Sequence, residues 1–87
     1  MKLNENFILK NIAGSAVVVP VGDEAQRIRG MITLNESAEF IWKKLEAGLE
    51  YDEILSDLKT EYNAPESVLK EDLDSFINVL KDKNILV

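Results

Sequence analysis

The chain has 87 residues, which is one domain's worth, and a domain this short buries only about 60% of its unfolded surface. It is 46% hydrophobic, too apolar for a disordered chain, and it contains no histidine and no cysteine, which excludes imidazole acid–base catalysis, thiol nucleophiles, disulfides and thiolate metal sites. The net charge is −6 and unevenly spread: residues 1–34 carry four basic and three acidic side chains, residues 35–87 six basic and thirteen acidic.

Phe7 to Ile12 alternates, with Phe7, Leu9 and Asn11 on one face and Ile8, Lys10 and Ile12 on the other. Ala13-Gly14-Ser15 reads as a turn, and the β-branched run Ala16 to Val19 as the returning strand of a hairpin. Pro20 lacks an N–H and belongs at a strand end or where pairing lapses. After a second turn at Gly22-Asp23-Glu24, Gln26 to Leu34 is predicted as a third strand, firmest from Ile28 onward. Asn35 is a natural cap for a first helix whose stripe is Ala38, Ile41, Trp42 and Leu45, with Gly48 as its stop. Tyr51, Ile54, Leu55, Leu58 and Tyr62 line a second helix, and Asn63-Ala64-Pro65 breaks it. The third helix is predicted from about Glu66 to Lys83, followed by the apolar tail Ile85-Leu86-Val87. Strands followed by helices define an α+β, winged-helix-like domain, a three-stranded antiparallel meander and then three α-helices.

Two features exceed what a plain core needs. In the third helix Leu69, Leu73, Phe76, Ile77 and Leu80 form the core stripe, but Val68 and Val79 widen it on the flank that carries Asp72, Ser75 and Lys83. The third strand is a sheet edge, with no proline and only Arg27 and Arg29 to blunt it, and Gly30 lets another backbone come close. Three occupants fit that edge: an extended peptide added as a strand, the chain's own C-terminal tail, or a second copy of the chain.

The run Gly30-Met31-Ile32-Thr33-Leu34-Asn35-Glu36-Ser37-Ala38, then Ile41-Trp42-Lys43-Lys44-Leu45, Gly48-Leu49, Tyr51-Asp52-Glu53-Ile54, Glu61-Tyr62-Asn63 and Asp72-Leu73-Asp74-Ser75-Phe76-Ile77 with Leu80 and Ile85-Leu86, resembles the coenzyme PQQ synthesis protein D (PqqD-like) family over nearly the whole chain. Its fold is the RiPP recognition element, the domain of pathways that make ribosomally synthesised, post-translationally modified peptides. The resemblance implies a single domain over residues 1–87. It also implies a non-catalytic peptide chaperone that binds the leader segment of a precursor peptide as an extra strand and presents it to a modifying enzyme, often a radical SAM enzyme. Carried over by position, Ile28, Arg29, Gly30, Met31, Ile32, Thr33 and Leu34 would be the receiving edge, and Asp72, Phe76, Val79 and Lys83 the helical wall. Either Met31 and Thr33 or, one residue out of step, Ile32 and Leu34 would face the cleft. Arg27, Arg29 and Lys83 would hold acidic leader residues at its rim. Asn35, Glu36 and Trp42 belong to the signature but read as cap, helix-dipole partner and core anchor.

No cofactor is expected. No apolar run nears the roughly 18 residues of a membrane span and no secretory segment opens the chain, so the expected location is the cytoplasm, with no membrane partner. A winged-helix DNA-binding regulator is disfavoured: the third helix sets Glu66, Glu71, Asp72, Asp74 and Asp82 against Lys70, Lys81 and Lys83, a balance that phosphates repel. Enzymatic use of the carboxylates is disfavoured too, since Glu46 with Glu50 and Asp57 with Glu61 read as solvated i,i+4 pairs. A self-associating domain, dimeric through the open edge or by strand exchange through the Val21 to Ala25 turn, is the remaining rival and is compatible with peptide binding.

Overall fold

The computed structural model describes residues 1–22 and 31–87. The hairpin forms as its alternation requires: β1 (Phe7–Ile12) pairs antiparallel with β2 (Ser15–Pro20), Phe7 opposite Pro20 and Ile12 opposite Ser15. Ala13 (φ 53°) and Gly14 (φ 83°) make the two-residue turn, both left-handed as a type I′ turn demands. Phe7 and Leu9 point inward, whereas Ile8 and Ile12 point to solvent.

β3 (Ile32–Leu34) pairs antiparallel with β2: Leu34 lies opposite Ala16, Thr33 opposite Val17 and Ile32 opposite Val18. Of the strand expected from Gln26 to Leu34, the described part is these three residues. Met31 lies outside the strand, and the expected portion from Gln26 to Gly30 lies outside the described residues. The hairpin sets which way the backbone groups of β2 point. Val21 N–H donates to Asn6 O at 2.7 Å, so the odd-numbered residues of β2 turn their backbone groups toward β1 and the even-numbered ones toward β3. Ala16 and Val18 therefore make the ladder to Leu34 and Ile32. Pro20, next in that series, has no N–H to offer.

Three helices follow. Asn35 caps α1 (Glu36–Glu46), its side chain accepting from Ala38 N–H at 2.9 Å. Gly48 (φ 87°) ends it, with Gly48 N–H bonded to Leu45 O (3.0 Å) and Leu49 N–H to Lys44 O (3.1 Å), the paired closure that a left-handed residue permits. α2 (Tyr51–Glu61) starts in a capping box between Glu50 and Glu53. Glu46 and Glu50 thus do not share a helix: one ends α1 and the other caps α2. α3 (Glu66–Asp82) begins after Pro65 and ends at Lys83, with Asn84 left-handed beyond it (φ 58°).

The core lies between the inner sheet face and the helices. Phe7, Ala16, Val18 and Leu34 from the sheet meet Ile41, Trp42, Leu45, Ile54, Leu58, Leu69, Leu73, Ile77 and Leu80. Trp42 is the core anchor at 1% exposure, although its Nε1–H finds no acceptor among the described residues. The C-terminal tail packs rather than frays, with Ile85 and Leu86 buried. Leu86 bridges antiparallel to Leu3, Asn4 N–H donates to Ile85 O at 2.7 Å, and Val87 N–H to Lys2 O at 2.8 Å. The tail therefore lies on the N-terminal arm and not on β3. None of the described helices is long and apolar enough to cross a membrane.

Candidate functional site

β3 has β2 on one side and no strand on the other among the described residues. The register decides which groups face that open side. Ile32 and Leu34 spend their backbone groups on Val18 and Ala16, so Thr33 turns both its N–H and its C=O outward. The side chains settle the facing question as well. Leu34 is buried and Ile32 packs on the core, whereas Thr33 is exposed on the opposite face and Met31 is 60% exposed. The helix-facing pair is therefore Ile32 and Leu34. A strand added beside β3 would put the residues opposite those two on the same, helix-facing side.

Just past Leu34 lies a cleft of about 280 Å³, bounded by the start of α1 and one face of α3. Ala38, Ile41, Phe76 and Val79 give it apolar walls, and Asn35, Ser37, Asp72 and Ser75 give it polar ones. Asn35 holds its corner rigid, since Oδ1 takes both the Ala38 N–H and the Ser37 hydroxyl at 3.1 Å. The N-terminus of α1, the positive end of its dipole, sits across from the Asp72 wall. Phe76 is half-buried and packs on the core with part of its ring, while Val79 is 41% exposed.

The expected residues divide as follows. Asp72, Phe76 and Val79 come together in the cleft, and Leu34 and Ile32 lead up to it. Lys83 is exposed at the end of α3 and does not line it. Ile28, Arg29 and Gly30, with Arg27, lie outside the described residues. The wall formed by Asn35, Ser37, Ala38 and Ile41 was missed in the sequence, where the first helix looked purely structural. The tyrosines lie away from this cleft. Tyr51 O–H donates to the Asp74 carboxylate, joining α2 to α3, and that bond, with desolvation, pushes its pKa up to about 12. Burial, aided by Glu36, Glu61 and Glu39, raises that of Tyr62.

The chain is thus an α+β domain with three antiparallel strands, three helices and, among the described residues, an unpaired strand edge leading into a helical cleft. The model of the coenzyme PQQ synthesis protein D family matches residues 8–86, and the chain belongs to that family. Two solved structures share the fold. TbiB1 in complex with the TbiA(beta) leader peptide is 24% identical, with a TM-score of 0.81 over 99% of this chain and 94% of that one. Lasso peptide synthetase B1 complexed with the leader peptide is 19% identical, with a TM-score of 0.76 over 98% of this chain and 93% of that one. No curated protein matches.

Proposed function

We propose that this chain is a non-catalytic peptide-binding chaperone: it binds the leader segment of a ribosomally made precursor peptide by strand addition to β3 and presents it to a modifying enzyme. The observation that carries this reading is the outward N–H and C=O of Thr33 beside an apolar cleft, in a fold shared with two proteins solved as leader-peptide complexes. Backbone bonds at Thr33 supply pairing, and the cleft between Ala38, Ile41, Phe76 and Val79 supplies selection. Ile28, Arg29, Gly30 and Met31 extend the receiving edge, and Lys83 contributes charge at the far end of α3. Residues 1–87 act as one domain, in the cytoplasm, and the chemistry belongs to the partner, a radical SAM enzyme or another modifying enzyme. The absence of histidine and cysteine supports the non-catalytic role, and the acidic α3 argues against nucleic acid.

The test is a titration of ¹⁵N-labelled protein with peptides selected on it from a displayed random library, followed by amide shifts. Movement of Met31–Leu34 together with Asn35–Ala38 and Asp72–Val79 is expected. Shifts confined to other surfaces would remove the site. A concentration-dependent mass with no peptide response would leave self-association through the same edge as the function.

A further inference from the structure

Holding a leader and presenting it to an enzyme takes two contacts, and the cleft accounts for one. A second concavity lies at the other end of α1. It is a hollow of about 340 Å³ between the N-terminal arm, Phe7 and the end of α1, where Leu45, Glu46 and Gly48 border it. No residue lines both this hollow and the cleft. Ala38 in the cleft and Leu45 in the hollow are about 10 Å apart along the helix, so the two can be filled together.

Three features of the hollow suit it to an extended segment. The arm is a short strand with one side paired and one side open. Lys2 exchanges both backbone bonds with Val87, and Asn4 N–H donates to Ile85 O. Leu3, between them and opposite Leu86, therefore turns its own N–H and C=O away from the tail, and neither has a backbone partner among the described residues. Val87 borders a separate hollow, whereas no tail residue lines this one, so the open side of the arm is the side of the hollow. The second feature is Trp42, which lines it. The indole Nε1–H is buried with no acceptor among the described residues. Buried indole donors are seldom left unbonded, and an oxygen of an entering segment supplies the acceptor. The third is the lining itself: Phe7, Trp42 and Leu45 make it apolar, and Glu5 and Glu46 outweigh Lys2, beside the negative end of α1.

We propose that the N-terminal arm is a second strand-accepting edge, and that its occupant is an extended segment of the modifying enzyme. The segment pairs with the N–H and C=O of Leu3, sets a large apolar side chain in the hollow, gives an oxygen to the Trp42 indole and places an adjacent Lys or Arg beside Glu5 and Glu46. Charge decides between occupants: a second copy of this chain, at net charge −6, is repelled from an acidic rim, and a basic segment is drawn to it. The identity of the partner rests on the leader-binding reading above; the geometry of the edge does not.

The experiment selects peptides from a displayed random library on Thr33→Pro protein, whose β3 edge is blocked, and titrates them into the wild type. Trp42 is the chain's one tryptophan, so its emission reports the hollow directly. The selected peptides should carry a large apolar residue next to Lys or Arg, change that emission, shift the amides of Lys2–Glu5 and Trp42–Gly48, protect the Leu3 amide from exchange, and bind alongside a peptide already seated in the cleft. Leu3→Pro, which lacks the outward N–H, should weaken them about 5-fold relative to Leu3→Val, which keeps it. Glu46→Lys, an exposed change that leaves the arm's packing alone, should weaken them about 3-fold. Both variants should bind cleft peptides as the wild type does. Selected peptides that leave the arm amides unmoved, that are acidic, or that compete with the cleft peptide would overturn the inference, as would a concentration-dependent mass that Leu3→Pro abolishes, which would give the edge to a second copy. Failure of every peptide selected on the wild type to shift the cleft amides would instead overturn the leader-binding reading, and with it the partner's identity, whatever the arm binds.

Discussion

Thr33→Pro tests the open edge at a single atom. Proline removes the N–H of Thr33, and by the register that N–H points away from β2. The ladder bonds of Ile32 and Leu34 to Val18 and Ala16 are left in place. The preceding residue, Ile32, is already extended, which is what proline asks of its neighbour. The cost to folding is therefore confined to fitting φ, under about 1 kcal/mol, or a fall of at most about 4–8 °C in Tm for a domain of this size. The cost to binding is larger. One backbone hydrogen bond is worth about 1 kcal/mol net, and the peptide carbonyl that loses its donor is left half-desolvated beside the ring. Together these should raise the Kd about tenfold or more. Thr33→Val, which keeps the N–H, should bind as the wild type does.

The assay is fluorescence anisotropy of a labelled selected peptide, with melting by circular dichroism alongside. Hydrogen exchange gives an independent reading: in the peptide-free protein the Thr33 amide should exchange quickly and those of Ile32 and Leu34 slowly, and peptide should protect Thr33. A slow Thr33 amide without peptide, or an unchanged Kd in Thr33→Pro, would refute the assignment of that edge.

Asn35→Ala removes the cap on α1 and one corner of the cleft; a loss of about 1 kcal/mol, seen as a Tm lower by several degrees, should accompany weaker peptide binding. Ala13→Asn places a left-handed-tolerant residue before Gly14 in the type I′ turn and should stabilise the protein by about 0.5–1 kcal/mol in urea unfolding. Tyr51 is held neutral in the fold with a pKa of about 12 against 10.0 for the free side chain, chiefly by its bond to Asp74. Its contribution is fully present below pH 10 and disappears as pH rises toward 12, so melts between those values should show an alkaline loss that Tyr51→Phe lacks.

Much of the fold was legible because short-range rules decide it. Alternation from Phe7 to Ile12, the Ala13-Gly14 turn, the Asn35 cap and the Gly48 stop each fix an element without reference to the rest of the chain. The facing of β3 was not legible from the strand alone. Met31 and Thr33 compete with Ile32 and Leu34, each pair contains an apolar residue, and alternation says which residues share a face but not which face is inward. The register to β2 decides it, setting Ile32 and Leu34 opposite the inward Val18 and Ala16, whereas the hairpin fixes only the sideways direction of the bonds. A two-residue turn makes Ile12 and Ser15 a bonded pair, which sends the odd residues of β2 to β1 and leaves Ala16, Val18 and Pro20 for β3. Counting from that turn places the missing donor of Pro20 on the β3 side. The α1 wall of the cleft stayed hidden for another reason: Ala38 and Ile41 belong to a core stripe, and that they also border a cleft depends on where α3 lies, which no local rule gives. Lys83 joined the site by sequence position; it is exposed at the C-terminal cap of α3, one turn past Val79, and does not line the cleft.

The outward backbone groups of β3 bear on how the binding energy divides. The described part of β3 offers one outward pair of backbone groups, at Thr33, so strand addition there yields two hydrogen bonds at about 1 kcal/mol each. A micromolar complex needs about 8 kcal/mol, after the entropy of ordering the peptide has been met. Most of the affinity must then come from apolar side chains entering the cleft and lying along α3, where Phe76, Val79 and Val68 leave apolar surface open. Backbone bonds read no sequence, so selectivity has the same source. The net charge of −6 also opposes the approach of a second copy of the chain to this edge.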